Sequence, residues 1–330
     1  MKCKAKIIGL GAYLPERVLS NQDLEKIVDT TDEWITSRTG MKERRIAADN
    51  EFTSDMGAAA AQRALEDSGL KGEEIDLILV ATLTPDYVFP STACLIQEKI
   101  GAVNAAAMDM QAACTGYIYA LSAAKAYVES GMYQNVLIVA AEKLSSIVDY
   151  EDRNTCVLFG DGASSCIVSS SKKGFAIENV SLGCDGKQSE LLILPAGGSK
   201  NPASMETVQG GQHFIKMEGR EVFKHAVRRM EGAVKACLDA SGLDEQSISW
   251  MVPHQANIRI IEALAKRFQV PSEQVYLTIH KYGNTSASSV GIALDELVKE
   301  KNVKKGERIV LLGFGAGLTW GAAALTSEVE

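Results

Sequence analysis

Two stretches far apart in the chain follow one pattern. Residues 65–80 read LEDSGLKGEEIDLILV, and residues 238–253 read LDASGLDEQSISWMVP. Leu65 aligns with Leu238, Ser68-Gly69-Leu70 with Ser241-Gly242-Leu243, and Ile75 with Ile248, at an offset of 238 − 65 = 173. A second pair, NVLIVAA at 135–141 and ERIVLLG at 307–313, has an offset of 172. Self-similarity at half the 330-residue length points to two similar α/β halves. Each half reads as a helix ending in Ser-Gly-Leu, an apolar strand, a polar loop, then further helix and strand. Continuous apolar runs such as Leu77–Val80, Val136–Ala140 and Ile309–Leu312 suit sheets covered on both faces. SSSKKG interrupts the pattern near 170–175, which places an N-terminal half over 1–172 and a C-terminal half over 173–330. No low-complexity tract or long linker separates them, so one compact unit with two subdomains is expected.

The pattern also predicts helices over about 54–68 and 115–130. In the second, Tyr117, Leu121, Ala124 and Val128 share a face and Gly131 supplies a stop. The N-terminus MKCKAKIIGLGAYLP lacks the apolar length and cleavage site of a signal peptide. No run reaches the roughly 18–20 apolar residues of a membrane span. A cytoplasmic protein without a membrane partner is therefore expected. A net charge of −8 argues against nucleic-acid binding. The seven cysteines, at 3, 94, 114, 156, 166, 184 and 237, form no CxxC pair and no zinc-spaced cluster with histidine. Reduced thiols, mostly in the core, and no metal are expected.

Two glycine-rich stretches are declined as cofactor loops. Ile7–Gly11 lacks the third glycine of a dinucleotide fingerprint and runs into Pro15, so it reads as a simple turn. GFGAGLTWG at 313–321 follows a strand but lies nine residues from the C-terminus, so no βαβ unit can follow. Such a loop still lets backbone N–H groups approach a ligand closely.

Chemistry gathers at three places. Cys114, in MDMQAACTGYIYAL at 108–121, sits at a strand-to-helix joint, where the helix dipole favours a thiolate. A thiolate needs a base or cation, usually histidine. His213, His225 and His280 read as surface or structural. His254, in VPHQAN, follows the strand Trp250–Pro253, at the carboxyl end where α/β sheets gather ligands. KYGNTSASS at 281–289 reads as a helix entry capped by Thr285 or Ser286, with Asn284 either a turn residue or functional.

Taken in order, DMQAACTGY, VPHQAN, YGNTSASS and GFGAGLTWG resemble the β-ketoacyl-acyl carrier protein synthase III family of the thiolase superfamily, over essentially the whole chain. The resemblance implies a five-layered αβαβα fold of two similar halves and a catalytic trio of Cys114, His254 and Asn284. It implies a decarboxylative Claisen condensation that initiates type II fatty acid synthesis. An acyl-CoA primer and malonyl-acyl carrier protein would give 3-oxoacyl-acyl carrier protein, CoA and CO2. The alternative is a specialised acyltransferase or ketosynthase of the same family in secondary metabolism. Elongating relatives pair two histidines with cysteine and thiolases use a second cysteine, whereas this chain carries Cys-His-Asn. A papain-like hydrolase and a non-catalytic scaffold are the remaining rivals.

The same resemblance assigns further residues. The N–H groups of Cys114 and Ala316 would form an oxyanion hole, with alanine where the family often has glycine. Trp34 and Arg153 would sandwich the CoA adenine, Arg38 would meet a phosphate, and Gly219, Phe223, Ala256 and Asn257 would line the pantetheine tunnel. Phe89 would reach across a homodimer into the partner's acyl pocket, walled by Leu144, Phe159 and Ile215. The helix-spaced stripe Arg220, Lys224, Arg228 and the set Arg259, Lys266, Arg267 form basic patches on an acidic protein. The resemblance gives Lys224, Arg259, Lys266 and Arg267 to docking of acyl carrier protein. It implies no cofactor.

Overall fold

The computed structural model describes residues 4–329; Cys3 lies outside them. Nine strands form one mixed sheet: β1 Lys6–Tyr13, β2 Leu77–Ala81, β3 Ala106–Met110, β4 Asn135–Glu142, β5 Gly162–Ser169, β6 Phe175–Cys184, β7 Trp250–Pro253, β8 Arg308–Gly315 and β9 Thr319–Ser327. Seven helices position the site: α1 Asp32–Thr39, α2 Thr53–Ser68, α3 Thr92–Lys99, α4 Gly116–Glu129, α5 Gly219–Ser241, α6 Ile258–Arg267 and α7 Ser288–Glu300. The strand order is β7-β8-β9-β6-β1-β5-β4-β2-β3. β1 and β6 meet through only Lys6↔Ala176 and Ile7↔Phe175. Strands up to Ser169 lie on one side of that seam and strands from Phe175 on the other.

Alternation along the strands explains the layers. On β2 and β4, Leu77, Leu79, Val136 and Ile138 face a core shared with α4 and α7, which also takes Ile309 and Leu311 from β8. The intervening Ile78, Val80, Leu137 and Val139 face α2, through Met56, Ala60 and Ala64. On the other half, Met251, Val310 and Leu312 face α5, through Met230, Val234 and Cys237. Helix, sheet, helix pair, sheet, helix is the five-layered αβαβα arrangement. Strands buried on both faces have no use for polar positions, hence the unbroken apolar runs.

The repeated Ser-Gly-Leu has a local cause. α2 and α5 each end on a glycine in the left-handed region, Gly69 at φ 68° and Gly242 at φ 65°, whose N–H caps the last turn. The Gly9–Gly11 stretch is not the turn its sequence suggests. Both glycines lie inside β1, where α2 crosses against the sheet. A Cβ on Gly11 would come 2.6 Å from Ala64 N and closer still to Ala60 O, both helix backbone. Gly11→Ala therefore forces the helix away and is expected to lower stability by about 1–3 kcal/mol; a thermal melt at unchanged Tm would contradict this packing.

Candidate active site

Cys114 occupies the 3-10 turn Ala113–Thr115 that joins β3 to α4. Its side chain is only 6% exposed. Gly315, at the end of β8, packs under it: a Cβ there would come 2.7 Å from Cys114 N. Ala316 follows and carries no positive φ, whereas Gly317 takes φ 131°. Alanine is therefore unstrained where the family often has glycine, and its N–H is retained. Burial pushes the Cys114 thiol up to about 11, opposed by the Ser286 hydroxyl and the cysteine's own N–H. The expectation that the helix N-terminus yields a thiolate is thus outweighed by desolvation, and the resting group is a thiol.

His254 follows β7 and is held by its N–H to Leu312 O at 2.7 Å. Its Nδ1 lies 2.6 Å from Ser289 Oγ. Ser289 Oγ also accepts from Gln255 N at 3.3 Å; where its own proton goes to Nδ1, the neutral ring carries its proton on Nε2. Burial brings the imidazole down to about 4, leaving it neutral. In that tautomer His254 can donate through Nε2, and a neutral ring is not the cationic partner a thiolate would need. Asn284 is oriented in a similar way. Its Oδ1 accepts from Ser286 N at 2.8 Å, which leaves the amide NH2 to donate. Ser286 does not cap α7, whose N-cap is Ala287 without a side-chain bond. It instead adopts φ 50° and points its hydroxyl at Cys114 Sγ, 3.5 Å away.

Two cavities meet at Cys114. The outer one, of about 260 Å³, is lined by Trp34, Gly219, Phe223, Ala256 and Asn257, and reaches Cys114, His254 and Asn284. Met217, Val222, Ala226 and Met230 also line it. These went unassigned in the sequence, where they read as ordinary apolar positions. The inner cavity, of about 390 Å³, holds Leu144, Phe159 and Ile215 beside Cys114 and Ala316. Phe89 lines neither cavity of its own chain. It is 84% exposed, next to exposed Tyr87 and Val88.

At the outer end, the guanidinium groups of Arg38 and Arg153 lie over the Trp34 ring at 4.7 and 5.2 Å. An adenine between Trp34 and Arg153 needs about 7 Å, two contact distances. A sandwich therefore requires Arg153 to move out from the ring. Its holds are one bond to Asp29 O at 2.8 Å and a loose ion pair with Asp29 at 3.7 Å. Helices α5 and α6 pack side by side. Lys224, Arg259, Lys266 and Arg267 all project into solvent from them. Lys224 pairs with Glu221 at 2.6 Å and Arg267 with Glu231 at 2.8 Å.

One buried acid escaped the sequence reading. Glu142 ends β4, and its Oε2 accepts from Thr82 Oγ1, Leu83 N, Thr84 N and Thr84 Oγ1 at 2.7–3.2 Å. A charged residue closing the run NVLIVAAE, at a strand's carboxyl end, was the available signal. Among the described residues, no group of three or more His, Cys, Asp or Glu side chains converges as a metal site. No helix there is long and apolar enough to cross a membrane.

Comparison with known proteins agrees with this geometry. The family profile described as 3-oxoacyl-[acyl-carrier-protein] synthase III matches residues 108–186, and its C-terminal counterpart matches 238–327. A β-ketoacyl-[acyl-carrier-protein] synthase III of Chlamydia pneumoniae is 59% identical over 98% of this chain and 96% of its own. One from Caldanaerobacter subterraneus subsp. tengcongensis is 53% identical over 98% of both. The crystal structure of 3-oxoacyl-[acyl-carrier-protein] synthase III from Aquifex aeolicus superposes with a TM-score of 0.90 at 49% identity, covering 98% of this chain and 99% of that one.

Proposed function

Because the chain belongs to the 3-oxoacyl-[acyl-carrier-protein] synthase III family of the thiolase superfamily, we infer that it is the condensing acyltransferase that initiates type II fatty acid synthesis. It joins an acyl-CoA primer to malonyl-acyl carrier protein and releases CoA and CO2. The observation that carries the residue assignment is the meeting of two cavities at one buried thiol, with two neutral donors beside it.

Each residue then has a task its surroundings suit. The acyl-CoA enters by the outer cavity with its pantetheine arm along Gly219, Phe223, Ala256 and Asn257. Trp34, Arg38 and Arg153 hold the nucleotide end. Cys114 Sγ attacks the thioester carbon, and the N–H groups of Cys114 and Ala316 take the developing oxyanion. The acyl chain occupies the inner cavity along Leu144, Phe159 and Ile215. CoA leaves and the malonyl arm takes its place. His254 Nε2–H and the Asn284 amide donate to the malonyl thioester oxygen as CO2 departs and enolate charge develops. A protonated, cationic imidazole is not required, which fits the low affinity of His254 for a second proton. The carbanion attacks the acyl-cysteine and frees the thiol. Loss of CO2 itself supplies the carbanion, so no cofactor is called for.

The panel experiment is direct. Mass spectrometry of Cys114 after incubation with a series of acyl-CoAs should show one acyl adduct, followed by 3-oxoacyl product on adding malonyl-acyl carrier protein. Release of free acid alone would make the protein a hydrolase instead.

Docking of the acidic carrier protein falls to Arg259, Lys224, Lys266 and Arg267 on α5 and α6, whose inner faces line the outer cavity. Arg259→Glu is expected to raise KM for malonyl-acyl carrier protein about tenfold, more at low salt, while acylation by acyl-CoA changes little. Equal loss of both half-reactions would remove the docking role. The exposed apolar tip Tyr87-Val88-Phe89 supports a homodimer in which Phe89 closes the partner's inner cavity.

A further inference from the structure

The reaction needs the Cys114 proton removed, and burial leaves the His254 imidazole with little affinity for a second proton. The structure holds a different acceptor. Glu142 is fully buried, all its formed hydrogen bonds fall on Oε2, and Oε1 has no partner. Ser286 stands close enough to favour the Glu142 anion without a formed hydrogen bond, and its Oγ lies 3.5 Å from Cys114 Sγ. One hydroxyl thus lies between a buried thiol and a buried carboxyl.

We propose that Glu142, acting through the Ser286 hydroxyl, holds the Cys114 proton while the cysteine is acylated. This rests on the function proposed above. A rotation of the hydroxyl reverses its bond to sulfur: Ser286 Oγ takes the thiol proton as its own proton passes to Glu142. Sγ forms its bond to the acyl carbon, the bond from that carbon to the CoA sulfur breaks, and the CoA thiolate takes a proton from solvent. In condensation the carbanion bonds to the acyl carbon and the acyl–Sγ bond breaks. The proton then returns from Glu142 through Ser286 to the sulfur. The cycle consumes the one proton that CoA carries away. A carboxylate and a thiolate never coexist across the hydroxyl, so their mutual repulsion is avoided.

The environment suits a carboxyl that both takes and gives a proton. Burial pushes Glu142 up to about 7, opposed by the hydroxyls of Thr84, Ser286 and Thr82 and by Leu83 N–H. Charged neighbours are engaged elsewhere. Lys143 turns its ammonium to Ala48 O and Glu51 O at 2.8 and 2.7 Å. Asp86 bonds Ser54, Asp109 bonds the start of α3, Asp161 bonds Ala47 and Ser145, and Asp55 pairs with Lys99. The Glu142 charge is felt at Cys114, where it opposes the thiolate.

The test is single-turnover acylation of Cys114 by acyl-CoA, followed by mass spectrometry from about pH 5.5 to 9. The carboxylate must be ionised to accept, so the wild-type rate rises with pH through an inflection near 7. Glu142→Gln loses the inflection and slows acylation by about 10²–10⁴, and Ser286→Ala, which breaks the relay, slows it comparably. Glu142→Asp restores an inflection. Decarboxylation of a malonyl thioester by unacylated enzyme uses no thiol proton and stays within about threefold in both variants, a readout that a misfolded protein would lose. A wild-type profile without the inflection, an inflection kept by Glu142→Gln, or parallel loss of acylation and decarboxylation overturns the relay. A wild-type enzyme that forms no acyl-cysteine at all overturns the condensation reading instead.

Discussion

Cys114→Ala forms no acyl-enzyme with any acyl-CoA, and its condensation rate falls by about 10⁴ or more. Such a loss is expected because the nucleophile has no substitute: among the described residues no other cysteine lines either cavity. The same variant keeps its capacity to decarboxylate malonyl-acyl carrier protein, since the Nε2–H of His254 and the amide of Asn284 are positioned by Ser289 and Ser286 N, not by the sulfur. Alanine at Cys94, Cys156 or Cys237 leaves acylation intact. Cys94 is exposed, and Cys156 and Cys237 are buried and line neither cavity. Intact-mass measurement after acyl-CoA treatment checks all four variants together. An adduct on the Cys114→Ala protein would move the nucleophile elsewhere.

Loss of either enolate donor has the next largest effect, on the other half-reaction. His254→Ala and Asn284→Ala each lower condensation by about 10²–10³, the usual cost of one preorganised donor. Acylation of Cys114 stays within about tenfold, because its oxyanion is served by backbone N–H groups. Rapid-quench separation of the two steps checks this, and a variant that loses acylation first would make His254 the thiol's base. The histidine also carries a pH signature. Its native pKa of about 4 lies below the ordinary value of 6.5, so the unfolded chain binds the extra proton between those values. Stability from this group is complete above pH 6.5 and is lost as pH falls towards 4. His254→Asn should flatten that decline in a denaturant titration at successive pH values.

Legibility followed the range of the interactions. The repeat of Ser-Gly-Leu was readable because a helix stop needs left-handed glycine within a few residues of sequence. The apolar runs were readable because burial on both faces leaves no polar positions. Cys114, His254 and Asn284 were nameable from local motifs joined by a family resemblance. The glycines of β1 misled, since Gly9 and Gly11 answer to a helix more than forty residues away, and nothing local separates that demand from a turn. Ser286 misled for the same reason. Serine before a helix is ordinarily a cap, and only the opposing helix entry at Cys114 redirects its hydroxyl.

Sequence by itself determined the two-half α/β plan, the thiol at a strand-to-helix joint and the family chemistry, all of which rest on patterns that short segments carry. Tertiary structure alone decided the protonation states. Desolvation is a property of the assembled core: it keeps Cys114 a thiol, makes His254 a neutral donor, and lifts Glu142 to about 7 beside them. Cys114 meets His254 and Asn284 in one cavity because α4, which follows the cysteine, and α7, which follows the asparagine, bury their apolar faces in one core. No window of sequence contains that burial, and it is what sets where each proton resides.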